Sequence, residues 1–359
     1  MNESADPPEP ERATSRATKL VIAAAVVIGV IGIVGMYVKL PYVIFSPGDA
    51  TPVDRYVRIT GARSYHHRGD VLLLTVRVST GRPNVWRYVE ASIDDDTKVI
   101  GERQYQGNIP RARVDRESVQ MMTESQLAAK QAALTRLGYK VQIDGKGARV
   151  HQVVKDSPAD RAGLAPGDVI VDVDGSPIKV RDQVGQIVQA RPVGTTYTVT
   201  VTRRGAPQTL TVTSAAAPSG PLSGKPYFGI GAVTEHLDIR FPVKISIDAG
   251  DVSGPSGGLA FTLTIIDDLS PGDLTGGHKV AVTGEIDGAG NVGEVGGVAQ
   301  KAVAAREEGA TLMIVPVAEV RDARSKSGNM KVVGVRTLDD ALRALRRIGG
   351  APLPPPPAH

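Results

Sequence analysis

Gly254-Pro255-Ser256-Gly257-Gly258, followed at once by LAFTLTIIDDL over residues 259–269, is the stretch on which the reading turns. The apolar run reads as a mostly buried helix. The glycines put a serine at its start, where a substrate can approach closely and unpaired N–H groups can hold a developing oxyanion. Ser256 therefore stands in a nucleophile's position, with Gly254, Pro255 and Gly257 shaping the turn around it. Taken alone, such a pentapeptide is more often a plain turn whose serine caps the helix.

A seryl hydroxyl is a poor nucleophile at neutral pH and needs a base. Residues 293–309, GEVGGVAQKAVAAREEG, form a glycine turn leading into a helix. On a 3.6-residue repeat Val298, Lys301, Ala302 and Ala305 share one face, while Gln300, Glu307 and Glu308 fall largely elsewhere. Lys301 is thus on the apolar side, where desolvation lowers an amine's pKa and leaves it able to take the serine proton. The commoner fate of such a lysine is to pack its stem and send its ammonium to water. Between the two segments the strand-like VAVTGEI at residues 280–286 carries Thr283, placed to orient a lysine amine.

Together these pieces resemble the proteolytic domain of Lon proteases over nearly the whole of residues 227–347, an α/β or α+β unit. The matching string is GPSGG, then TGEIDGAGNVGEVGGVAQKAVAA, then the strand LMIVP at 312–316. The resemblance implies Ser256 as nucleophile, Lys301 as general base and Thr283 in support of the lysine. It also implies a ring-like homo-oligomer. Two departures stand out. Ser253 occupies the place, three before the serine, where Lon proteases commonly have an acidic residue, and no G-x-x-x-x-G-K-[ST] phosphate loop occurs, so this sequence supplies no ATPase.

Upstream, residues 20–38 read LVIAAAVVIGVIGIVGMYV without a charge, which at ~1.5 Å per residue spans roughly the hydrocarbon thickness. Arg12, Arg16 and Lys19 precede this run and only Lys39 lies close behind it, so a single-pass cell-membrane helix with a cytoplasmic N-terminus and an extracytoplasmic catalytic domain is expected. The alternative is a cleaved signal peptide, but the run is longer than the usual apolar region and no convincing cleavage site follows.

Residues 140–214 contain SPADRAGLAPGDVIVDVDG at 157–175, a short helix with Ser157 as N-cap and Pro158 at the first helical position, then a turn, a buried strand and a second turn. The order resembles PDZ domains, in particular the permuted form of bacterial proteases. That resemblance implies binding of an extended peptide, often a free C-terminus, as an added strand. Gly147, Ala148, Arg149 and Val150 are expected at the start of its binding strand.

The expected layout is therefore multidomain: a cytoplasmic tail at 1–18, a transmembrane helix at 19–38, a strand-rich extracytoplasmic segment at 41–120, and a β-rich PDZ-like domain with a leading helix at 122–214. A linker at 215–226, the Lon-like domain at 227–348 and a disordered proline-rich tail at 349–359 complete it. In overall layout it looks like the PDZ-containing Lon-like membrane proteases of bacteria. The function expected is ATP-independent serine endopeptidase acting on polypeptides recruited or gated by the PDZ-like domain, without a cofactor. The rival is a catalytically silent membrane scaffold that binds peptides.

Composition excludes other classes. There are no cysteines, hence no disulfide framework and no thiol nucleophile, and the six histidines show no metal-ligand spacing. A net charge of +4, scattered along 359 residues, leaves no nucleic-acid footprint. A trypsin-like enzyme would carry His and Asp upstream of the serine in one domain, whereas only His236 precedes Ser256 there.

Overall fold

The computed structural model describes residues 16–107, 111–218, 223–250 and 252–355; most of the expected cytoplasmic tail, the middle of the expected linker and the last four residues lie outside them. In chain order the elements that matter are α1 (Arg16–Tyr37), β1 (Tyr42–Pro52), β2 (Asp70–Val78), α2 (Val85–Ile93), β3 (Lys98–Gly101) and α3 (Arg111–Arg136). Then come β4 (Ala148–Val153), β5 (Val169–Val173), α4 (Arg181–Gln189), β6 (Thr196–Arg203), β7 (Ala206–Thr213) and β8 (Ile230–Thr234). The last group is α5 (Gly258–Asp268), β9 (Lys279–Val282), α6 (Val298–Glu307), β10 (Leu312–Pro316), β11 (Lys331–Val335) and α7 (Leu338–Arg346).

The chain divides into two compact units, one of residues 1–137 together with 243–359, the other of residues 138–242. This differs from the expected boundaries in both directions. The segment 41–120 is no separate piece: β1, β2 and β3 complete a six-stranded sheet of order β11-β10-β9-β2-β1-β3. The helix expected to lead the second unit, within 122–214, is α3, which already starts at Arg111 and packs along α5 in the first.

Within this sheet β2, β9, β10 and β11 are parallel, with Val71 opposite Val280 and Val282 opposite Ile314. β1 runs antiparallel to β2 and to β3. Parallel strands buried on both faces read as unbroken apolar runs, and Leu72-Leu73-Leu74, Val280-Ala281-Val282 and Leu312 to Val315 are all within 1% of full burial. Leu72, Leu74, Ala281 and Met313 pack with Val298, Ala302 and Ala305 of α6. The Leu73 side chain lies against Gly257 at the start of α5.

In the second unit the strand path is β7-β6-β5-β4-β8, with Ser176–Pro177 paired on β5. Its core holds Tyr197 edge-on to Phe228, with Ile170, Val199 and Val201. Ser157 caps the helical turn Pro158–Arg161, accepting from Asp160 N at 3.3 Å. The expected linker begins and ends in a two-stranded pairing of Ala215–Ala216 with Pro226–Tyr227, and β8 then joins β4. The tail expected to be disordered from Gly349 is held at its start, where Gly350 N–H bonds Leu345 O and Ala351 N–H bonds Asp273 O.

Among the described residues one helix is long and apolar enough to cross a membrane, Lys19–Tyr37 at the N-terminal side, with mean hydropathy 2.6.

Candidate active site

Gly254 adopts φ +87°, a backbone state in which only glycine is unstrained, and turns the chain into a 3-10 turn, Pro255–Gly257, ahead of α5. Two serines of α3 fasten this turn. Gly254 N–H bonds Ser118 O at 3.0 Å, and Ser125 Oγ donates to Pro255 O at 2.9 Å. The packing is close: a Cβ on Gly257 would stand 2.7 Å from Leu73 Cδ1, and one on Gly258 would stand 2.6 Å from Ser125 Oγ. Ser256 is half-buried at the head of an α5 whose first ten residues are buried.

Lys301 enters from α6, which starts after Gly297 at φ +69°; a side chain at that glycine would meet Val76 of β2 at 2.7 Å. Its side chain is 3% exposed, and its Nζ donates to Thr283 Oγ1 at 3.0 Å. Thr283, fully buried just past the end of β9, donates in turn to Ser256 O at 3.3 Å, and Gly284 N–H bonds the same carbonyl at 3.0 Å. Thr283 thus bridges the lysine to the serine's backbone. Among the described residues no hydrogen bond joins the Ser256 hydroxyl to the Lys301 amine directly.

Burial pushes the Lys301 ammonium down to about 8, against the pull of the Glu319 and Glu285 carboxylates, which favour its charge. Burial raises both of those carboxyls above their ordinary range, opposed by Lys301. Glu319 Oε1 accepts from Val295 N at 2.6 Å, while its Oε2 is buried without a hydrogen-bond partner among the described residues. Sequence reading missed these two glutamates. Glu285, sitting in TGE beside Thr283, carried a signal; Glu319, 18 residues beyond Lys301, carried none. Gln300, expected on a polar face, is instead buried, and its side chain donates to Asp96 O at 3.3 Å because the N-terminal segment covers that side of α6.

The expected peptide-binding residues are arranged otherwise. Ala148 and Arg149 pair with Ile170 and Val169 of β5 on one side, and β4 pairs with β8 along its length on the other. A strand hydrogen-bonded on both edges has no ladder left to offer, so Gly147 to Val150 cannot take an added strand. On that side of the sheet the open edge belongs to β8, beside α4, with Thr234 Oγ1 accepting from Arg181 N at 3.1 Å.

Comparison with known proteins finds two domain families in the chain. A family model of the PDZ domain matches residues 135–213, and one of the Lon protease (S16) C-terminal proteolytic domain matches residues 233–346. The chain carries a PDZ domain and a Lon-type proteolytic domain. A Lon protease of Rickettsia felis is 31% identical over 109 residues, 29% of this chain and 14% of that protein. The magnetosome formation protease MamE of Magnetospirillum gryphiswaldense is 40% identical over 79 residues, 21% of this chain and 10% of the relative. A probable periplasmic serine endoprotease, DegP-like, of Hahella chejuensis is 45% identical over 60 residues, 17% and 13% of the two chains. The chain therefore spans about a tenth to a seventh of the length of these relatives. The Lon-type match begins within β8 and so leaves out β1, β2, β3 and α3, which complete the sheet and fasten the serine turn.

Proposed function

We propose that this chain is a membrane-anchored serine endopeptidase that works without ATP hydrolysis of its own, using Ser256 as nucleophile and Lys301 as general base. The observation that carries this reading is the buried Lys301 amine, lowered to about 8 and bridged through Thr283 to Ser256. A structural lysine gains nothing from losing its water. A general base needs that loss, because only the neutral amine accepts a proton.

In the reaction, the Ser256 side chain turns toward the Lys301 amine and gives up its proton as its oxygen attacks the scissile carbonyl. Catalytic contacts are often looser in a resting site and tighten with substrate. Backbone N–H groups at the head of α5 hold the oxyanion, Lys301 returns the proton to the leaving amine, and water activated by the same amine releases the acyl group. Thr283 keeps Nζ aimed throughout. The PDZ domain recruits polypeptide, with the peptide adding as a strand to the free edge of β8 alongside α4. α1 anchors the chain with its N-terminus in the cytoplasm, and the active form is a homo-oligomer.

The test is covalent labelling of the full-length protein in detergent with a serine-reactive peptidyl electrophile, read by mass spectrometry. An adduct on Ser256 that is absent from Ser256→Ala and Lys301→Ala supports the dyad. An adduct formed at an undiminished rate in Lys301→Ala sinks it, and no adduct at any pH favours the peptide-binding scaffold.

A further inference from the structure

α2 has one face tied to the protein and one face left open. Its inner face is tied to the proteolytic unit: Ala91 is buried and the Tyr88 ring lies 4.7 Å from that of Tyr42 on β1. Its outer face is apolar and open, with Trp86 46%, Val89 43% and Ile93 78% exposed. At 3.6 residues per turn these three lie within about 60° of one another. So large an apolar stripe on an otherwise charged surface marks an interaction site.

What covers it follows from its neighbour. The Trp86 indole N–H donates to Gly32 O of α1 at 2.9 Å, and a Cβ on Gly35 would meet the same ring at 2.8 Å. The exit of α1 is also stitched to the start of α2, since Leu40 N–H bonds Pro83 O and Lys39 bridges Asn84, the N-cap residue. Gly32 is five residues short of the end of α1, about 8 Å along the axis at ~1.5 Å per residue. With α1 across a bilayer and Tyr37 at its surface, Trp86 is held roughly 5–10 Å deep, where amphipathic helices lie and where indole rings concentrate. α2 packs against α1, whose Ile31, Ile33, Val34 and Met36 are themselves exposed apolar residues.

We infer that the Trp86, Val89 and Ile93 face of α2 lies in the phospholipid bilayer at the C-terminal end of α1, at the boundary of headgroups and acyl chains, and locks the proteolytic unit to the membrane surface. The contact is apolar rather than electrostatic, because the residues that follow the helix, Asp94 and Asp95, are acidic and do not attract anionic headgroups, while Asp96 is paired with Lys326 at 2.9 Å. This inference rests on α1 crossing the bilayer, and the experiment separates the two.

The chain has one tryptophan and no cysteine, so both probes are unique. The full-length protein is reconstituted in phosphatidylcholine vesicles, once unmodified and once each as Ile93→Cys and Val317→Cys carrying an environment-sensitive fluorophore. Val317, 41% exposed, is the aqueous control. The expected result is that Trp86 and the label at 93 are quenched by lipids brominated near the top of the acyl chain and shielded from iodide, at low and high salt alike, while the label at 317 shows the reverse. A label at 93 as open to iodide as that at 317, in protein that resists alkaline carbonate extraction, overturns the inference and leaves the anchor standing. Protein extracted by carbonate overturns both.

Discussion

The Lys301 amine donates a 3.0 Å hydrogen bond to Thr283 Oγ1, and both side chains are sealed from water. The same hydroxyl donates to the Ser256 carbonyl, so a single buried group aims the amine and ties it to the serine turn. Removing the hydroxyl while keeping the shape leaves Nζ free to swing. Thr283→Val should therefore slow labelling of Ser256 by about 10- to 100-fold, the equivalent of a hydrogen bond to an ionisable group. Thr283→Ser should recover most of the rate. Single-turnover labelling with unchanged thermal unfolding is the measurement.

The pH profile of that labelling carries the signature of the lysine. With Lys301 as the proposed base only the neutral amine can act, so the rate should rise with pH to a midpoint near 8. Glu319 and Glu285 hold Lys301 charged, against the effect of burial. Glu319→Gln removes one of these carboxylates, so the midpoint should move to lower pH and the rate at pH 7 should increase. A serine activated by another group would show no such displacement.

The catalytic unit is predicted to need its distant N-terminal half. A fragment of residues 227–348 lacks β1, β2, β3 and α3, which exposes the edge of β9 and leaves Pro255 O without Ser125. Unpaired edges and an uncovered α5 cannot be made good locally. The fragment should show no cooperative unfolding by circular dichroism, whereas the full-length protein in detergent should.

The contrast between what was legible and what was not follows from sequence separation. Ser256 and Lys301 sit in short glycine turns that open helices, and both turn and helix are written in neighbouring residues. The sheet is not. Val71 meets Val280 across more than 200 positions, and nothing near residue 71 announces its partner. For the same reason the proline- and serine-rich stretch before β8 reads as a linker although β8 closes the sheet of the preceding unit. Gln300 misled because a polar side chain on a helix reads as solvent-facing until the segment that covers it is known.

Peptide capture should be visible as backbone protection at one edge. If a peptide adds to β8, amides in residues 230–234 exchange more slowly when a saturating C-terminal peptide is present. Those of Ala148 to Val150 stay unchanged, because β4 is already flanked by strands on both sides. Hydrogen exchange read by mass spectrometry on the full-length protein distinguishes this from binding at β4.

The C-terminal end of α5 makes stability depend on pH in a direction that can be worked out in advance. Burial raises the Asp268 carboxyl to about 7 and that of Asp267 to about 6, the first also pushed up by its acidic neighbour. Both lie where the helix dipole disfavours negative charge. An acid whose folded pKa exceeds its unfolded value of ~4 favours the folded state fully below pH 4 and loses that advantage as pH rises to about 7. The Leu274 N–H, whose hydrogen bond Asp267 accepts, and the His67 ring, with Nε2 3.8 Å from Asp267 Oδ1, both oppose the effect of burial on Asp267. Asp268→Asn never acquires the charge. It should melt several degrees above the unmodified protein at pH 8, with the gap closing by pH 4, and thermal unfolding at the two pH values tests both halves of the statement.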